Sequence, residues 1–168
     1  TGDYKQELLD RSAELRGEIV PPTLQYLNRI HSTTTDAREL SSNLNDLNTL
    51  VPQLAAATDD QALFHAEVKV LHAHRLLIAI ERRVLVARSD ALARRADEAI
   101  AALAPSSSNI AQTIRQEKAE LITNRAALAP ITPHAVSCTL AKQALAIQAR
   151  LEKTIEDVLA KIAAAATT

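Results

Sequence analysis

Residues Asp60 to Ala104 read DQALFHAEVKVLHAHRLLIAIERRVLVARSDALARRADEAIAALA, and their spacing decides the fold. Leu63, Val70, Leu77, Val84 and Ala91 recur every seven residues; Ala66, Ala73, Ile80 and Ala87 follow three places later. Apolar residues at these intervals form a heptad seam, as in a long helix packed against other helices. A further series, Phe64, Leu71, Ile78, Leu85 and Leu92, lies one position beyond the first and widens the stripe. A two-stranded coil needs only the narrow seam, so the broader face predicts contact with two other helices. At about 1.5 Å per residue the segment spans roughly 65–70 Å.

The flanks of this helix are marked by turn residues. Thr58, Asp59 and Asp60 supply a turn and a cap before it, with either Thr58 or Asp59 suited to accept from the free amides of its first turn. Pro105 and Ser106 to Ser108 mark a reversal after it. Upstream, a helical stretch runs from about Tyr4 to about Ala57, interrupted by Pro21-Pro22, where a kink, or two helices end to end, is expected because proline lacks the amide proton and clashes with the preceding turn. Its apolar positions are Leu8, Leu9, Leu15 and Ile19 before the prolines and Leu24, Leu27 and Ile30 after them. Leu40, Leu44, Leu47, Val51 and Leu54 then give its cleanest stripe, and the polar stretch between, His31 to Asp36, reads as an exposed part of the same helix or, alternatively, a local break. Downstream, Ile110, Ile114, Leu121 and Leu128 mark a third stretch, interrupted by Pro130 and Pro133. A final helix from about His134 to Ala165 carries Val136, Leu140, Ala144, Ile147, Leu151, Ile155, Val158 and Ile162. The expected fold is all-α: one domain over residues 1–168, an elongated up-down-up three-helix bundle with proline-kinked first and third arms. The alternative is an irregular four-helix bundle in which Pro130 to Pro133 is a true reversal.

Composition agrees with helices and narrows the function. Hydrophobic residues make up 47% of the 168-residue chain, aromatics only 2%, and glycines are just Gly2 and Gly17. Strand-rich sandwiches need turn residues at short intervals, whereas Ala, Leu, Gln, Glu and Arg suit helices. Nineteen Lys plus Arg against twenty Asp plus Glu leave a net charge of -1, without the positive surplus of a nucleic-acid binder. Arg82-Arg83 and Arg94-Arg95 read as solvated faces. No apolar stretch reaches the roughly 20 residues of a membrane span, and no Asn-x-Ser/Thr sequon is present.

Candidate chemistry is sparse. Cys138 lies on a helix with apolar residues on both sides and reads as an inert, partly buried thiol; His134, four residues away, lacks a third orienting group. His65 and His72 stand two turns apart and His72 and His74 point apart, so the histidines predict no metal site. Glu67, Glu81, Glu98, Glu117, Glu120, Glu152 and Glu156 fall largely outside the apolar seams and read as solubilising acids. Two glycines near the amino end cannot build a phosphate loop. No catalytic, cofactor-binding or metal-ligating residue is assigned, no cofactor is expected, and the chain reads as a non-enzyme.

The Ala-rich, aromatic-poor arms Asp60 to Ala104 and His134 to Ala166, the start Thr1-Gly2-Asp3-Tyr4 without methionine, and the lack of cysteines for disulfides resemble the glutamate/alanine-rich surface protein of African trypanosomes. That family is similar in fold to the amino-terminal bundle of the variant surface glycoproteins. The resemblance implies a lipid-anchored cell-surface coat protein with a protective or host- or vector-interaction role. It would be a monomer or weak dimer, touching host or vector macromolecules or neighbouring coat molecules, and reaching the membrane only through an anchor outside this fragment. Glu is not dominant here, no anchor signal is present, and Cys138 stands alone, all departures from the pattern. The alternative reading is an intracellular helical adaptor or assembly subunit in the cytoplasm, binding partner helices.

Overall fold

The computed structural model describes residues 2–30, 35–130 and 138–166. Over these residues the chain is helical: α1 (Gly2–Glu14), a π-helical turn (Leu15–Ile19), α2 (Val20–Arg29), α3 (Thr35–Ala56), α4 (Asp60–Ala102), a 3-10 turn (Pro105–Ser107), α5 (Ser108–Leu128) and α6 (Cys138–Ala166). The all-α expectation holds. Asp59 rather than Thr58 caps α4, its Oδ1 accepting from the Ala62 amide at 2.8 Å, a contact that stabilises a helix start by about 1 kcal/mol.

Pro21-Pro22 does not break the helical path. The two prolines occupy the first turn of α2, where a missing amide proton costs least. The strain is absorbed one turn earlier, where the ladder widens and the Val20 amide donates to the Leu15 carbonyl five residues back. Pro52 likewise sits inside α3, close to its end.

The first stretch is not one arm. Lys5 Nζ donates to the carbonyls of Ala55 and Ala57, both at 3.0 Å, and Arg16 Nε donates to Asn48 Oδ1 at 2.7 Å. Residue 5 beside 55 and residue 16 beside 48 make α3 antiparallel to α1 and α2. The expected kinked arm from Tyr4 to Ala57 is therefore corrected to a hairpin. Its halves carry separate apolar stripes that bury against each other: Leu8, Leu15, Ile19 and Leu27 on one side, Leu40, Leu47 and Leu54 on the other. Burying each such leucine contributes about 1.5–3 kcal/mol. Most of the polar stretch between the stripes, residues 31–34, lies outside the described residues.

The third arm is likewise a hairpin rather than one kinked helix, in line with the alternative of a reversal between the third stretch and the final helix. Lys118 pairs with Asp97 and Arg125 with Asp90, each at 2.7 Å, so α5 runs antiparallel to α4. Arg150 pairs with Glu120, and Thr154 Oγ1 donates to Glu117 Oε1 at 3.2 Å, so α6 runs antiparallel to α5. Pro133 and the expected helix start at His134 fall outside the described residues.

The two hairpins dress opposite halves of α4, and the core divides accordingly. Ala66, Val70, Ala73, Leu77, Ile80 and Val84 are buried against the first hairpin. Leu92, Ala96 and Ala99 are buried against Ile114, Leu121, Leu151 and Ile155 of the second. Ala87, a member of the expected seam, is exposed, and Phe64, a member of the widening series, is 64% exposed. At roughly 100° per residue, the buried face turns by about 90° between the halves. Near the middle of α4 both series are buried together, Leu77 and Val84 beside Ile78 and Leu85, so the broad face meets helices of both hairpins, as its width predicts.

Candidate functional site

Between the two apolar series of α4 runs a polar one, again spaced by seven: His74, Glu81 and Arg88. All three are buried, because this line of the helix faces α1 and α2. The Ser12 hydroxyl donates to the Leu8 carbonyl at 2.7 Å, and its oxygen lies 2.6 Å from His74 Nε2. A hydroxyl has one proton, so Nε2 donates to Ser12 and Nδ1 is the unprotonated, unpartnered nitrogen. Burial, with a smaller push from the Arg11 charge, lowers the His74 pKa to about 4. This histidine is neutral at pH 7.

Two turns further on, Glu81 shares a hydrogen bond with the Thr23 hydroxyl, which also reaches the Ile19 carbonyl at 3.2 Å. Its second oxygen, Oε2, is buried without a partner. Burial raises the Glu81 pKa to about 8, outweighing the opposing Thr23 hydrogen bond. The carboxyl is therefore mostly protonated at pH 7, with its own proton available to Thr23 while Thr23 donates to Ile19. Glu81 lines a cavity of about 10 Å³, together with Leu15 and Ile19 of the π turn and Leu128, Cys138 and Ala141 of the second hairpin. That volume approaches the room one water needs. The cavity sits where both hairpins meet α4.

The third member, Arg88, sits over the Tyr26 ring, with Cζ 4.0 Å from its centroid. Its Nη2 donates to Glu152 Oε2 at 2.6 Å, while Arg29 Nη1 donates to Glu152 Oε1 at 2.8 Å. Burial pushes the Glu152 carboxyl upward, but hydrogen bonds and charge from the two guanidiniums prevail and hold it below the usual carboxylate range. The triad ties α2, α4 and α6 together at the middle of the molecule.

Two acids read as surface groups, Glu81 and Glu152, are thus buried. Other charged groups find partners on neighbouring helices: Glu120 meets Arg150, Glu117 meets Thr154, and Arg125 meets Asp90. Of the arginine pairs, Arg83 is exposed and bridges Asp36 and Glu39, whereas Arg82 is half-buried and donates to the Ala129 carbonyl at 3.3 Å. His65 and His72 are exposed, and His31 and His134 lie outside the described residues. Among the described residues no three His, Cys, Asp or Glu side chains gather to hold a metal, and no helix is long and apolar enough to cross a membrane.

Cys138 is buried, and burial, aided by the Glu14 charge, raises its thiol pKa against the smaller opposing pull of Arg11 and Lys142. A buried, protonated thiol is a poor nucleophile. Ellman's reagent at pH 8 is expected to label the native protein orders of magnitude more slowly than the urea-unfolded chain; equal rates would mean the thiol is accessible.

No family model, curated protein or solved structure matches this chain.

Proposed function

We propose that the chain is a non-enzymatic helical spacer that works through its outer surface. The observation that supports this reading is where the reactive side chains lie: His74, Glu81, Arg88 and Glu152 are all buried in contacts between helices. A catalytic reading needs such groups gathered around a cleft that admits substrate. The architecture is best counted as two three-helix bundles sharing α4, one formed with α1–α2 and α3 and the other with α5 and α6. Its 43-residue central helix makes a rod of roughly 65 Å, a shape suited to holding one end away from a surface.

The setting we propose is a cell-surface coat, anchored through a lipid attached beyond this chain, with protective or host-interaction duty. Intact cells producing the full-length protein test it. A membrane-impermeant amine reagent is expected to label the protein, and a phospholipase that cleaves lipid anchors is expected to release it. Protection from the reagent until the cells are lysed would replace the coat with the adaptor reading. One observation favours that second reading: Phe64 and Val68, one turn apart on α4, are 64% and 51% exposed, which suits a partner helix.

A further inference from the structure

The Arg29–Glu152–Arg88 triad holds two positive charges and one negative charge. Arg88 is 6% exposed, and its Nε is buried without a hydrogen-bond partner. Its guanidinium is fixed by Tyr26 on one face and by Glu152 at Nη2. Arg29 reaches the same carboxylate from the solvent side, with its side chain 58% exposed. Two guanidiniums, one buried and one solvent-facing, thus share a single carboxylate. The triad is one carboxylate short of neutral.

An open groove of about 510 Å³ lies over these arginines between α2 and α6. Gln25 and Asn28 contribute carboxamides to it, and Leu145 and Ala149 contribute apolar surface. The described residues lining it include no acid. The cationic feature is confined to two side chains on a chain of net charge -1. It therefore lacks the extended basic track that nucleic acid or an anionic membrane requires. Its volume is that of a small-ligand or side-chain site.

We propose that the α2–α6 groove binds an acidic side chain of a partner polypeptide, whose Asp or Glu carboxylate completes the charge balance at Arg29 and Arg88. Arg29 supplies the accessible fork for that carboxylate, since a planar guanidinium presents paired donors. Leu145 and Ala149 cover the methylene stem, while Gln25 and Asn28 can hydrogen-bond the partner's main chain. This deepens the interaction reading proposed above and rests on it. It names the chemistry of one contact.

The test is an NMR titration of the isotope-labelled whole chain with a blocked, alanine-based helical peptide carrying one central Glu, alongside its Gln twin. The Glu peptide is expected to give saturating shifts at amides of residues 23–29 and 145–152, and to bind roughly ten-fold more tightly than the Gln peptide. Arg29→Ala should bring the two peptides within about two-fold of each other, with the helical circular dichroism unchanged because Arg29 is exposed. Equal binding of both peptides, shifts on other helices, or no shift at all would overturn the proposal. So would inorganic phosphate shifting the same amides as strongly as the Glu peptide at equal concentration, which would mark a free-oxyanion site instead. None of these outcomes alters the surface-labelling result, so the two proposals fail separately.

Discussion

Glu152→Ala is expected to destabilise the chain by about 3–5 kcal/mol, visible as a large drop in the urea midpoint with the slope of the transition unchanged. The size follows from what stays behind. Arg88 is almost fully buried and receives its countercharge from Glu152 at 2.6 Å. Removing the carboxylate strands a guanidinium that its contact with Tyr26 cannot neutralise. Arg29→Ala should cost less than about 1 kcal/mol, because that partner is largely solvated. The double variant Arg88→Met with Glu152→Leu removes both buried charges and should recover most of the loss. If Glu152→Ala and Arg29→Ala cost the same, the triad would not be the buried junction described above.

A second large effect is expected from pH. Glu81 has a folded pKa of about 8, raised from 4.5. The folded state therefore binds its proton more tightly than the unfolded chain does. The stability this contributes is full below about pH 4.5, declines as pH rises, and is gone above about pH 8. His74 behaves oppositely, its folded pKa lowered from 6.5 to about 4, so its contribution is full above pH 6.5 and is lost as pH falls through 4. The two slopes nearly cancel between about pH 4.5 and 6.5, and only the Glu81 loss remains between about 6.5 and 8. At about 1.4 kcal/mol per pH unit, urea unfolding should show a fall on the order of 2 kcal/mol over that upper interval. Glu81→Gln keeps a hydrogen bond for Thr23 but cannot ionise, so its stability should be flat from pH 6.5 to 8. A wild-type profile that is flat there as well would mean Glu81 is not buried as a protonated acid.

Much of the fold is legible in the residues. The stripe Leu40, Leu47 and Leu54, the seam from Ala66 to Val84, and Ile114, Leu121, Leu151 and Ile155 are buried as their spacing predicts. Helical periodicity identifies the buried face of a segment but carries no sign of the direction in which its partner runs. For that reason a break before α3 and a reversal at Pro130 to Pro133 stand in the sequence only as alternatives. Pro21-Pro22 is a weaker break signal than the Thr-rich stretch before α3, because proline is a strong breaker only inside a helix and is at home in a first turn. The site was harder to see. Glutamate is rarely buried, so Glu81 and Glu152 read as surface acids. The available signal was the seven-residue recurrence of His74, Glu81 and Arg88 among apolar neighbours. Their partners Ser12, Thr23 and Tyr26 lie on another segment, which no single-helix pattern can pair with them.

The most direct test of two hairpins on one shared helix is a spin-label distance between Gln6→Cys and Gln53→Cys on a Cys138→Ala background. With Lys5 bonded to Ala55 and Ala57, the helix axes lie about 8–10 Å apart, and with the label arms the measured separation is expected near 15–25 Å. A distance near 70 Å, the reach of an unbroken helix at about 1.5 Å per residue, would contradict the account and restore the single kinked arm.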